Sequence, residues 1–100
     1  GADIVLASRG RNADAPGRLR AHLVGRGGMR WAMDYSGRSL KAQLKQANRQ
    51  NARFTLIVGD DELARRQGTL RNMATQEQRP LDLSGTAAEQ CQRLIRVLRA

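Results

Sequence analysis

Lys41 and Lys45 are the only lysines of the chain. With Arg38 and Arg49 they fall along one stripe of a helix, Arg38 standing just ahead of its start. Cations in such a row neutralise successive phosphates and give affinity for a nucleic acid without preference for its bases. An acidic cluster, Asp60, Asp61 and Glu62, follows a nearby apolar run that ends in Gly59. A carboxylate beside a phosphate-binding stripe repels the backbone, so its presence needs a reason. One reason is base readout, because carboxylate oxygens accept from the amino and imino groups of unstacked bases. The other is an ion pair of Glu62 with Arg65 or Arg66 on the following turn. Both readings stand at this stage. The triplet is also the one candidate for a divalent ion, but no further ligands in sequence complete a shell.

Other chemistry is scarce. His22 is the only histidine and has no nucleophile-elbow pattern beside it, so a Ser/His/Asp triad has little to build on. One histidine and one cysteine, Cys91, lack the spacing of a zinc site. There is no GxxxxGK[ST] loop and no GxGxxG fingerprint, and the Arg26-Gly27-Gly28 cluster reads as a helix stop. Neither a catalytic residue nor a metal or cofactor site is expected in this chain. A formal net charge of +9 over 100 residues favours a polyanionic partner, nucleic acid before an acidic membrane surface. A single cysteine excludes an intrachain disulfide, and no apolar run approaches the ~20 residues of a membrane span. A cytoplasmic protein, or a fragment of one, is the expectation.

The elements that position these residues follow from periodicity. Asp3–Ser8 reads as a buried strand. Asp14 caps a helix with Pro16 in its first turn and Leu19 and Leu23 on one face, stopped by Gly25, Gly27 and Gly28. Met29–Tyr35 alternates as a second strand, with Met29, Trp31 and Met33 toward the core. Ser39 caps a helix from about Leu40 to Asn51 whose buried stripe is expected to be Leu40, Leu44 and Ala47. Arg53–Gly59, nearly continuously apolar, suits a central strand covered on both faces. Asp60, Asp61 and Glu62 then open a short turn or helical turn ending near Gly68. Thr69–Met73 and Gln78–Leu83 form a hairpin, with Pro80 marking an edge. Thr86 and Glu89 make a capping box for a last helix, whose apolar face is Ala88, Cys91, Leu94, Ile95 and Leu98. Cys91 on that stripe reads as a small core residue before it reads as a nucleophile. The expected fold is α/β, a five-stranded mixed sheet flanked by three main helices, in one domain over residues 1–100.

At this point a resemblance becomes specific. GRSLKAQLKQANRQNARFTLIVGDDEL followed by LRNMATQEQ resembles the C-terminal anticodon-binding domain of class II aminoacyl-tRNA synthetases, in the histidyl branch. The likeness is strong from Arg38 to Gln78 and weaker in the first and last helices. It implies a domain that grips the anticodon stem-loop of a histidine tRNA. It also implies a longer, homodimeric parent whose separate catalytic domain uses ATP and Mg to activate histidine. Arg38, Ser39 and Lys41 match the segment that faces the anticodon loop, and Lys45 joins them from the basic stripe. Glu62 and Arg71 match positions that reach anticodon bases in related synthetases. The short, glycine-flanked first helix and the basic Arg65-Arg66-Gln67 turn depart from the family pattern. Alternatives are the same module in a synthetase-like regulatory protein, or a protein-interaction or dimerisation domain. A small flavodoxin-like enzyme fits worst, because the paired strands after Gly68 do not belong in an all-parallel sheet.

Overall fold

The computed structural model describes residues 3–9, 31–33 and 39–99. In chain order its elements are β1 (Ile4–Arg9), β2 (Trp31–Met33), α1 (Leu40–Arg49), β3 (Phe54–Gly59), α2 (Asp60–Ala64), β4 (Gln67–Asn72), β5 (Gln78–Asp82) and α3 (Ala87–Arg99). The strands form one mixed sheet in the order β2-β1-β3-β4-β5. β1 is parallel to β2 and β3, while β3–β4 and β4–β5 are antiparallel. The most apolar run thus lies in the middle, with positions 55–59 all buried, and the Pro80 strand lies at an edge, where its missing N–H costs no ladder bond. Of the three main helices expected, α1 and α3 are among the described residues. The helix expected after Asp14 lies outside them, as does His22.

Strand alternation sorts the core into two layers. Ile4, Leu6, Leu56, Val58, Leu70 and Leu81 face α3 and pack on Cys91, Leu94 and Leu98. Val5 faces the other way, onto Ala47 and Ala52, with Met73 against them. α1 carries the chain from β2 to β3 across β1, the strand between them, and the small Ala47 lets its backbone approach Val5.

α1 is rotated from the expected orientation. Its buried residues are Gln43 and Ala47, whereas Leu40 and Leu44 are only half-buried. A rotation of about 45°, half of one residue's ~100° step, keeps Ala47 at the sheet and leaves both leucines at its side, where they line a groove with Arg71 and Met73. Ser39 caps the helix as expected, its Oγ accepting from the Ala42 N–H at 3.2 Å. The helix stops at Arg49 because Asn51 turns left-handed at φ 55°, with Ala52 N–H bonded to Ala47 C=O and Asn51 N–H to Asn48 C=O.

Two further expectations change. Gly68 does not end a turn; it lies inside β4, which begins at Gln67, two residues before the expected Thr69. A Cβ there would stand 2.8 Å from Leu56 Cδ1 and 3.2 Å from Leu83 Cδ1, so any larger residue forces these leucines to shift. Ala88 is exposed, leaving Cys91, Leu94 and Leu98 as the buried stripe of α3. The capping box forms: Glu89 N–H donates to Thr86 Oγ1 at 3.2 Å, and Thr86 N–H donates to Glu89 Oε1 at 3.0 Å.

Candidate nucleic-acid interface

Helix spacing sets Lys41, Lys45 and Asn48 along one exposed edge of α1, with Leu40 and Leu44 beside them. Strand spacing sets Arg71 on the sheet face that α1 covers, between Thr69 and Met73. These residues and Gln76 enclose a groove of about 430 Å³. Among the described residues its lining holds three cations, Lys41, Lys45 and Arg71, and no carboxylate, above an apolar floor of Leu40, Leu44 and Met73. That combination suits a flexible polyanion with flat, partly apolar groups: the ammonium groups take phosphates and the floor takes a base face.

The far wall is stiff. Asn72 Oδ1 accepts from the Ala74 and Thr75 N–H groups at 2.9 and 3.1 Å. Gln76, left-handed at φ 65°, donates its N–H to Asn72 C=O at 2.8 Å, and Asn72 N–H donates to Glu77 C=O at 2.9 Å. Met73 is held from below, its sulfur accepting from the buried Thr55 hydroxyl at 3.1 Å. Arg71 is half-buried. Its Nη1 donates to Gln78 Oε1 at 3.0 Å, and its Nε is buried with no hydrogen-bond partner.

The groove therefore joins Lys41, Lys45 and Arg71, with Ser39 beginning the helix that carries two of them. Arg38 lies outside the described residues. Glu62 does not line the groove; it is 3% exposed at the β3–α2 junction, where Oε2 accepts from the Gly59 N–H at 3.2 Å. Arg65 and Arg66 are exposed on the turn after it. Met73, Gln76 and Asn48 were missed as lining residues. The hairpin register needed to find the first two depends on a non-glycine left-handed turn, which has no strong sequence signal. Among the described residues no group of three or more His, Cys, Asp or Glu side chains could hold a metal. None of the described helices is long and apolar enough to cross a membrane.

A family model described as an anticodon binding domain matches residues 16–93. The chain belongs to that family. A histidine–tRNA ligase from Halothermothrix orenii is 36% identical to this anticodon-binding domain over 93 residues, 93% of this chain and 22% of the relative. One from Geobacter metallireducens is 42% identical over 86 residues, 85% of this chain and 21% of the relative. The domain thus spans about a fifth of the length of these relatives. Among solved structures, apo S. aureus histidyl-tRNA synthetase superposes with a TM-score of 0.77 at 30% identity, covering 98% of this chain and 26% of that one. The RNA binding domain of threonyl-tRNA synthetase from Cryptosporidium parvum reaches 0.78 at 19% identity, covering 98% of this chain and 23% of that one, a likeness of fold.

Proposed function

We propose that this anticodon-binding domain grips the anticodon stem-loop of a histidine tRNA, as part of a longer histidine–tRNA ligase. On this reading the parent is a cytoplasmic homodimer, and its catalytic domain supplies the ATP- and Mg-dependent charging reaction. The observation that carries the reading is the groove, in which Lys41, Lys45 and Arg71 surround an apolar floor with no carboxylate among the described lining residues. The histidine–tRNA ligases among its relatives support the choice of tRNA.

Each residue has a distinct part in the proposal. Lys41 and Lys45 grip phosphates as compact charges, without base preference. Arg38, the residue before the Ser39 cap in sequence, is assigned a further phosphate contact, and Ser39 fixes the start of α1 through its cap. Arg71 offers a planar donor fork suited to the O6 and N7 acceptors of the guanines in a GUG anticodon. Glu62 is the acceptor for guanine N1–H and N2–H₂. Since it lies apart from the groove, that role requires a second contact of the RNA at the β3–α2 junction.

Fluorescence anisotropy with a labelled GUG stem-loop tests the proposal. Binding is expected to weaken when either guanine of the anticodon is replaced, and to fall as salt rises from about 50 to 200 mM. Equal affinity for GUG and for loops lacking both guanines overturns it.

A further inference from the structure

β4 and β5 pair so that Arg71 stands opposite Gln78, which puts both side chains on one face of the ribbon. Gln78 Oε1 accepts from Arg71 Nη1 at 3.0 Å. A guanidinium is planar, so a bond at Nη1 orients the whole donor plane, and Nε–H and Nη2–H run parallel along the edge turned away from it. Nε is covered and has no acceptor in the free domain. That donor gains a partner only if an acceptor entering the groove reaches it. Lys41 and Lys45 on the same groove are mobile point charges, whereas an anchored fork suits a planar pair of acceptors.

We infer that Gln78 is the positioning residue for base reading. It holds Arg71 so that the Nε–Nη2 edge meets the O6 and N7 atoms of a guanine entering the groove. The inference rests on the anticodon-binding reading above and adds the residue that turns a cation into a reader. Without Gln78, Arg71 keeps its charge and its place on β4 but gains rotational freedom. Attraction for phosphate survives, and preference for the base does not.

The test titrates the full 100-residue chain, with the variants Gln78→Leu, Gln78→Glu and Arg71→Lys, against two stem-loops. One carries GUG; the other carries 7-deazaguanine at both guanines, which removes N7. The unaltered chain should prefer the GUG loop. Gln78→Leu should lower that preference about fivefold or more, the lower end of what one bidentate guanine contact provides. Its salt slope should not change, and its affinity for the deaza loop, which keeps only O6, should fall less than for the GUG loop, which separates a positioning role from general damage. Gln78→Glu keeps an acceptor for Nη1 and should restore the preference even if its added charge weakens binding to both loops. Arg71→Lys should lose the preference with Gln78 intact. Full preference in Gln78→Leu, or none in the unaltered chain, overturns the inference. If the unaltered chain distinguishes GUG from loops without guanine, the anticodon reading survives that result; if it does not, that reading falls as well.

Discussion

Replacing Glu62 by alanine separates holding a turn from reading a base. Glu62 is 3% exposed, and its Oε2 accepts from the buried Gly59 N–H at the point where the central strand passes into α2. Alanine leaves that N–H without its acceptor, and an unsatisfied buried donor costs about 1–3 kcal/mol. The unfolding entropy of a domain this size is roughly 0.2 kcal/mol per kelvin, so the melting temperature should fall by about 5–14 °C. Glu62→Gln keeps an acceptor oxygen of nearly the same shape and should recover most of the loss. Thermal and urea melts of the three proteins, read by circular dichroism, measure this directly. A fall of less than about 2 °C for Glu62→Ala would show that the carboxylate does not hold the junction. Titrations well below all three melting temperatures then test the base-reading proposal, which expects a loss of about 1–3 kcal/mol on the GUG loop and almost none on loops lacking guanine. Equal losses on both would confine Glu62 to the turn.

Lys41→Ala should weaken GUG and altered loops alike and reduce the salt slope by about 0.7, one phosphate's worth for single-stranded RNA, as read from titrations at several salt concentrations. Leu94→Ala, at 1% exposure in the α3 layer, should cost about 2–5 kcal/mol in urea melts. Leu44→Ala should cost clearly less than that, because Leu44 faces the groove and is only half-buried; an equal cost would contradict the orientation of α1. The Thr86 N–H and hydroxyl hold the Glu89 carboxyl below its ordinary value of 4.5. That contribution to stability is complete above this value and is lost as pH falls beneath it, so Glu89→Gln should flatten the acid limb of melting temperature against pH.

The hydrophobic patterns determined more of this protein than any single residue did. Arg53–Gly59 could satisfy so continuous an apolar run only in the middle of a sheet, and Pro80 could pair only at an edge, because both depend on backbone and burial rules that act locally. The same holds for the Ser39 cap, the Thr86–Glu89 capping box and Cys91 on the α3 stripe. The resemblance of Arg38–Gln78 to the synthetase anticodon-binding domains was also legible, since it lies in a contiguous segment.

What tertiary structure decided was rotation, register and depth. α1 has two candidate buried stripes that share Ala47 and lie about 45° apart, Leu40–Leu44–Ala47 and Gln43–Ala47. Hydrophobicity favours the first; the close approach of Ala47 to Val5 selects the second and turns the leucines into part of the groove floor. Gly68 reads as a turn residue until Leu56 is placed against it. The distance from Arg71 to Gln78 along the chain says nothing about their bond, which exists because the left-handed Gln76 sets the hairpin register. Glu62 looks like a surface acid in a polar turn, and only the fold of β3 into α2 buries it on the Gly59 amide. Each of these depends on contacts between segments distant in sequence or on the path of one turn, and periodicity within a segment carries no record of either.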